Sequence, residues 1–363
     1  YVKNGEEWVG TNYATYGQEI RQAARALIGM GFEAGDTTCI LGFNRPEWTI
    51  LDLATMAAGG APAGIYTTCS PNEVQYIIGH AESKIVLVED ESQWNKIRQE
   101  RARLPQLEKV VLMKGAPAID DDMTMSWEEF MAAGDSVPAE KLEERMDGLT
   151  DDQVATFIYT SGTTGPPKAV MLSHKNLVWT AALAGQITDL RPSDTSLSYL
   201  PLSHIAEQMF SIHGPATSGN SIYFAESIDS VADNLKEVQP TVIFGVPRIW
   251  EKFYAGVTAK LSLATGLKAK LVSWAMNVGR TANDVKNNGG TVGGLLAMKY
   301  KLANKLIYSK LRPALGLGNA RMCVSGAAPI APEILVFFSG LDVIIHEVYG
   351  QSEDCGPTTF NLP

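Results

Sequence analysis

Between Tyr16 and Val88 the chain alternates two hydrophobic rhythms, and that alternation restricts the fold more than any other feature. Ile20, Ala23, Ala24, Leu27 and Ile28 recur at helical spacing. Thr38–Gly42 is then a short apolar run suited to a strand buried on both faces. Asn44 is placed to cap the next helix, with Pro46 inside its first turn, where a missing N–H costs little. Ala63–Thr67, a helix after Ser70–Pro71, and Lys84–Val88 repeat the theme. Strands separated by helices imply a parallel sheet with both faces covered.

From Glu89 to Asp152 the pattern loosens. Lys109–Lys114 reads as one more strand, and Asp120–Asp122 and Glu140–Glu144 as solvated acidic surface. A subdomain boundary is expected near Gly148–Asp152, dividing the chain into 1–150 and 151–363. Beyond it come strands at Val154–Tyr159, Ala169–Leu172, Ser221–Phe224, Thr241–Val246, Arg321–Ser325 and Val343–Tyr349. The fold class is therefore α/β, with two mostly parallel sheets flanked by helices. No period of roughly 20–50 residues repeats, which excludes a solenoid.

A formal charge of -10 over 363 residues argues against a general nucleic-acid binder, which needs a basic surface to displace counterions. Local capture of a phosphate by one loop stays open. Cys39, Cys69, Cys323 and Cys355 lie far apart, without metal spacing, and read as the reduced thiols of a cytosolic protein. No apolar run reaches the roughly 18 residues of a spanning helix; Ile334–Ile345 is shorter and carries Asp342. The chain starts at Tyr1 with no basic, apolar leader, and reads as a piece of something longer. One segment opposes the global charge: Val257–Arg312 holds ten Lys and Arg against the single acid Asp284. Its two helical stretches, with Leu261, Leu267, Leu271 and Trp274, then Leu295, Leu296, Tyr300, Leu302 and Leu306, read as apolar on one face and basic on the other. That segment is either a solvated helical hairpin or a contact with an anionic membrane surface.

The sharpest local signal is Tyr159-Thr-Ser-Gly-Thr-Thr-Gly-Pro-Pro-Lys168. Hydroxyls at Thr160, Ser161, Thr163 and Thr164 alternate with Gly162 and Gly165, and Lys168 closes the run. Glycines let backbone N–H groups turn toward one point, hydroxyls add donors, and the lysine adds charge, a combination that cradles polyphosphate oxygens. The string is not a Walker A loop, and Pro166 and Pro167 forbid a helix starting directly there. The apolar run Ala169–Leu172 that follows suggests a loop between two strands.

This string resembles the phosphate loop of the adenylate-forming (AMP-binding) superfamily of acyl-CoA synthetases, luciferases and peptide-synthetase adenylation domains. Pro201-Leu-Ser-His204 resembles the family's PLxH element, and Gly245-Val-Pro-Arg248 the long-chain synthetases. Ser325-Gly-Ala-Ala-Pro329 is similar to its adenine segment, and Tyr349-Gly-Gln-Ser-Glu353 to YGxTE. The spellings YGQSE, PLSHIAEQ and LRPALGLGNAR are most similar to the bubblegum-type long-chain acyl-CoA synthetases. The resemblance spans essentially the whole chain and implies the N-terminal domain of such an enzyme, without its C-terminal domain.

The implied activity is ATP-dependent activation of a long-chain fatty acid through an acyl-adenylate, then transfer to CoA. Both reacting partners are anionic, so such a site must neutralise charge and hold donors where charge develops. By resemblance, Thr160–Lys168 holds the β- and γ-phosphates, and Glu353, with Thr164, binds Mg²⁺. Ser352 bonds the α-phosphate, Tyr349 stacks on adenine, Gly326, Ala327, Ala328 and Pro329 lie flat along it, and Gly350 belongs to the same nucleotide site. His204 reads either as a residue near the carboxylate and phosphate or as a structural histidine. Trp250 reads either as a gate to an acyl tunnel or as a packed core tryptophan. His80, His174, His213 and His346 offer no catalytic pattern.

The family also uses a ribose-binding aspartate, an arginine and a mobile domain with a lysine, all beyond Glu353. This stretch alone is accordingly expected to be weak or inactive. Transfer to another thiol and a non-catalytic nucleotide- or lipid-binding role are the competing readings. The expected location is cytosolic, peripheral on the endoplasmic reticulum or another cytosolic-face membrane.

Overall fold

The computed structural model describes residues 1–160 and 165–361. The chain divides into two compact units, residues 1–186 with 198–219, and residues 187–197 with 220–363. In the first, a ribbon of β1 (Val2–Asn4) and β2 (Glu7–Val9) precedes a seven-stranded sheet. That sheet is built from β3 (Thr37–Leu41), β4 (Ala61–Ile65), β5 (Ile85–Val88), β6 (Lys109–Leu112), β7 (Thr124–Ser126), β8 (Val154–Thr160) and β9 (Lys168–Ser173). Their order is β7-β6-β5-β3-β4-β8-β9, parallel throughout except for the antiparallel pair β8–β9.

Period-two alternation explains why both faces are covered. Ile40, Ile85, Leu87 and Val111 point into a core with Ala23, Leu27, Trp48, Leu51 and Phe130. The intervening Cys39, Leu41, Val86, Val88, Val110 and Leu112 enter a second core with Val74, Ile77, Trp94 and Ile97. Full burial of each large apolar side chain contributes about 1.5–3 kcal/mol. The helices supplying these cores are Tyr13–Gly29, Pro46–Ala57, Pro71–His80 and Glu91–Glu100. Ser70 and Glu73 form a reciprocal capping box at the start of Pro71–His80.

Two expectations need correction. Helix Pro46–Ala57 is capped at Arg45 without a side-chain bond. Asn44 is buried, and its amide donates to Ser198 Oγ and to the Leu200 carbonyl, each at 2.8 Å. A buried amide must satisfy its donors, and distant acceptors outcompete the helix end. The division of the chain also does not fall at 148–152. Strand β8 pairs with β4, Ala63 opposite Phe157 and Gly64 opposite Ile158, so the first unit continues through β8 and β9.

The second unit contains β10 (Thr195–Ser198), β11 (Ser221–Phe224), β12 (Val242–Gly245), β13 (Met322–Ser325), β14 (Ile345–Gln351) and β15 (Gly356–Phe360). Strands β10 and β11 form a small pair; the main sheet runs β12-β13-β14-β15, with β15 antiparallel. Its core joins Ile243, Trp250, Cys323, Phe338 and Ile345. Helix Gly266–Asn287 crosses Pro332–Gly340 so closely that a Cβ on Gly279 would stand 2.6 Å from the Gly340 carbonyl oxygen. The four cysteines form no disulfide with one another, and three of them are buried. No helix among the described residues is long and apolar enough to cross a membrane.

The start of this unit is tied down by charge. Asp194, 3% exposed, accepts from Arg321 Nε and Thr241 Oγ1 at 2.8 and 2.7 Å, and a second Arg321 nitrogen completes a bidentate pair. Burial alone would raise the carboxyl, but bonds from Arg321, Thr241 and the Arg191 N–H prevail and hold it at about 2. A lowered carboxyl contributes stability that is complete above its unfolded value of about 3.9 and is lost as pH falls through its folded value. Arg321→Ala is expected to cost about 3 kcal/mol at neutral pH, because it strands a buried charge. In denaturant titrations that deficit should shrink as pH falls from about 4 toward about 2.

Candidate active site

In the first unit the two ends of the glycine-rich loop are clamped. Strands β8 and β9 pair Tyr159 with Ala169 and Thr160 with Lys168, so the loop's flanks face each other in the ladder. This agrees with a loop between two strands. Ser161, Gly162, Thr163 and Thr164, expected to supply donors and a metal ligand, lie outside the described residues. Gly165 has φ +103°, a conformation open to glycine but not to ordinary side chains. Lys168 is exposed at the start of β9.

Tyr159, the first letter of the motif, is an anchor. It is 3% exposed, its hydroxyl lies 2.9 Å from His80 Nδ1, and His80 stacks on Tyr76. Burial raises the phenol well above its ordinary range, so it stays protonated. The sequence offered no role for His80; the structure gives it this one.

The Pro201–His204 segment sits at the same end of the sheet. Ser203 presses on Gly64, where a Cβ would meet its Cα at 2.6 Å, and Gly64 opposes Ile158 of β8. His204 caps helix Ile205–Gln208, its Nδ1 accepting from the Ala206 N–H at 3.1 Å. Partial burial lowers its pKa, so the neutral ring carries its proton at Nε2 and can donate there. The structural duty is thus visible, and it leaves one nitrogen available.

Behind it lies a group that sequence reasoning missed. Glu207, 1% exposed, accepts from Ser198 Oγ and Ser211 Oγ, both at 2.7 Å, within reach of the Asn44 amide. Burial pushes its carboxyl up to about 8, against those hydroxyl bonds and the N–H groups of Tyr199 and Leu200. Only the apolar-polar rhythm around it could have flagged it, and that rhythm does not distinguish a buried acid from a surface one.

The second unit brings three motifs to one edge. Gly245, Ser325 and Glu347 stand opposite one another in the parallel ladders β12–β13 and β13–β14. The segments 245–248, 325–329 and 349–353 therefore all emerge at the carboxyl ends of adjacent strands, the usual ligand edge of an open α/β sheet. Gly326 is buried, and a Cβ there would lie 2.5 Å from Val348 Cγ1 and 3.2 Å from the Phe244 ring. Ala327 takes a left-handed φ of 68°, and Ala327, Ala328 and Pro329 are exposed as a low, side-chain-poor surface. Ser325 Oγ is buried without a hydrogen-bond partner.

Tyr349 is 63% exposed, unusual for an aromatic at a strand end, and presents a free ring face. A register shift follows it, and a Cβ on Gly350 would stand 1.9 Å from the Gly356 carbonyl oxygen. Ser352 is buried and opens the turn Ser352–Asp354, its carbonyl bonded by the Cys355 N–H at 3.0 Å. Asp354 accepts from Thr358, while Glu353 is exposed and makes no ion pair among the described residues. An accessible carboxylate is the hard oxygen ligand Mg²⁺ prefers. No cluster of three or more His, Cys, Asp or Glu that could hold a metal occurs among the described residues. Glu353 alone could therefore supply one carboxylate oxygen to a Mg²⁺, which ordinarily takes few protein ligands.

Trp250 takes the core reading. It is fully buried, its Nε1 donates to the Gly245 carbonyl at 3.2 Å, and its ring meets Phe253 and Phe338 edge-on. A tryptophan packed this way stabilises the β12 strand end.

Gly350→Ala should destabilise the second unit by about 2–3 kcal/mol in denaturant titrations, since backbone rather than a side-chain tip must yield. Glu207→Gln keeps an acceptor for both serines and removes the ionisation. An acid whose folded pKa is raised confers stability that is full below its unfolded value and is lost as pH rises through the folded one. The parent should therefore lose about 1.4 kcal/mol per pH unit from this group over that range. The Gln variant, measured by thermal unfolding across pH, should lack that share.

The family model described as AMP-binding enzyme matches residues 1–363. Long-chain-fatty-acid–CoA ligase ACSBG2 of Xenopus laevis is 41% identical over 99% of this chain and 49% of its own length. Human ACSBG2 is 40% identical over 99% of this chain and 54% of its own. Human ACSBG1 is 36% identical over 99% and 50%. The chain thus spans about half the length of the curated relatives it matches. Among solved structures, anthranilate CoA ligase AuaEII bound to anthranoyl-AMP aligns with a TM-score of 0.69 at 19% identity, covering 96% of this chain and 57% of that one. The inhibitor-bound N-terminal domain of FACL13 from Mycobacterium tuberculosis gives 0.67 at 18% identity, covering 97% and 72%.

Proposed function

We propose, from the premise that this chain belongs to the AMP-binding enzyme family, that it is the nucleotide-handling part of a long-chain fatty acid–CoA ligase. In that reaction a fatty carboxylate attacks the α-phosphorus of ATP, pyrophosphate leaves, and CoA takes the acyl group from the adenylate. The observation that carries the reading is the single edge where Gly326–Pro329, exposed Tyr349 and unpaired Glu353 meet at the ends of register-matched strands. The choice of a long-chain acid and of CoA rests on what the relatives are named.

Each unit has its share of the work. In the first, Lys168 offsets phosphate charge from a fixed ladder position, with Thr160 opposite it. His204, neutral and free at Nε2, can donate to an anionic oxygen without adding a full charge. In the second, Tyr349 offers its face to a purine, and the small side chains after β13 allow flat approach. Ser352 supplies a hydroxyl, and Glu353 would hold Mg²⁺. When bound, that ion neutralises the phosphates and sharpens the electrophile.

Further groups are expected, by resemblance, in the part of the relatives that this chain does not span, so activity is expected of the whole length and only weakly of this stretch. The test is palmitate-dependent exchange of labelled pyrophosphate into ATP, on this chain and on a version completed with the part of the Xenopus laevis relative that the match leaves uncovered. The completed protein should exchange, and Lys168→Ala and Glu353→Ala should each lower the rate by about 10²–10³. Absence of exchange with any medium to very long fatty acid would defeat the fatty-acid reading.

A further inference from the structure

The basic segment is not amphipathic in the simple sense its composition suggests. Helix Gly294–Ala303 and the π-helical turn Asn304–Tyr308 run antiparallel to Gly266–Asn287, as the contacts of Tyr300 with Lys286 and of Tyr308 with Ala275 require. Leu296, Tyr300, Ala303 and Ile307 pack inward against that helix. Asp342 pins the pair, accepting from the Tyr300 hydroxyl at 2.6 Å and pairing with Lys286 and Arg312 at 3.4 and 3.6 Å. The apolar face expected from sequence is therefore split: Leu295, Leu302 and Leu306 point the other way.

On that outer side Leu295, Met298, Leu302 and Leu306 are 66, 68, 49 and 37% exposed. Their spacing of three, four and four residues makes one stripe. Lys299, Lys301 and Lys305 stand on the same turns, exposed and without ion pairs among the described residues. A helix apolar on two separate faces is ordinarily buried, and here one face is open. Water alone does not favour such a stripe, and its lysine fringe disfavours burial against an apolar protein surface. Both halves are satisfied at an anionic lipid interface, where apolar side chains enter the acyl boundary and lysines remain among headgroups. The exposed apolar pair Val178 and Trp179 lies on helix His174–Thr188, whose own sequence supplies one lysine, Lys175, and no arginine.

We propose that the outer face of Gly294–Tyr308 docks the protein on an anionic lipid surface, with Leu295, Met298 and Leu302 inserting and Lys299, Lys301 and Lys305 meeting the headgroups.

Co-sedimentation with phosphatidylcholine vesicles, with and without phosphatidylserine, tests this without ATP or acyl substrate, so its failure leaves the ligase reading untouched. Binding is expected only to the anionic vesicles and should weaken with salt. L295S/M298S/L302S should lower the partition coefficient about tenfold or more. Removing Lys299, Lys301 and Lys305 as glutamines should cost roughly fivefold per residue. V178S/W179S should bind like the parent, with circular dichroism checking that every variant is folded. Equal binding to neutral vesicles, or unchanged binding by the folded L295S/M298S/L302S variant, would overturn the proposal. So would a parent dimer in sedimentation equilibrium that this variant dissociates, since the face would then belong to a second copy.

Discussion

Parallel strands share a direction, and that constraint organises what matters in this molecule. When β12, β13 and β14 lie in register, whatever follows each of them must leave the sheet on the same side. Three motifs spread over about a hundred residues of sequence, from Gly245 to Glu353, thereby become neighbours without any long-range recognition of their own. The ladder hydrogen bonds fix the spacing, and the side chains need only be correct at their own strand ends. The same logic holds Thr160 opposite Lys168 in the first unit, where an antiparallel pair closes the loop that joins them.

Around these edges the polar groups divide by task. Three that would meet a ligand are exposed, Lys168, Tyr349 and Glu353, while Ser352 is buried. Those that hold the backbone are buried and saturated with bonds, such as Glu207 between two serines and Asp194 between arginine and threonine. Charge is settled differently in the two. Asp194 has a cation and stays ionised, while Glu207 has only neutral donors, and burial favours its protonated form. Glu207 lies close behind His204, whereas Asp194 braces the amino ends of β12 and β13, opposite the edge where their motifs emerge.

Much of this was readable from residues. The two cores follow directly from the short apolar runs at Thr38–Gly42, Lys84–Val88 and Lys109–Lys114, because a strand buried on both faces has nowhere to put a polar side chain. The glycine-rich loop announced its flanking strands, and the strand-end motifs carried a family resemblance that the family match supports. What stayed hidden depends on distant partners. Asn44 looked like a helix cap because local spacing cannot show Ser198 and Leu200 waiting 2.8 Å away. Trp250 could be read as a gate because composition does not reveal Phe253 and Phe338 around it. The boundary expected near residue 150 failed since the partner of β8 is β4, far earlier in the chain.

The close approach at Gly350 carries a consequence for how such motifs are interpreted. Its neighbour is the backbone of Gly356, not a nucleotide, so the demand for glycine comes from the hairpin and persists whether or not any reaction occurs. Glu353, three residues on, is exposed and unpaired, and the fold would tolerate its loss. A degenerate descendant that had abandoned catalysis would keep the glycine and let the glutamate drift. The two positions form an internal gauge, one reporting whether the architecture survives and the other whether the chemistry does.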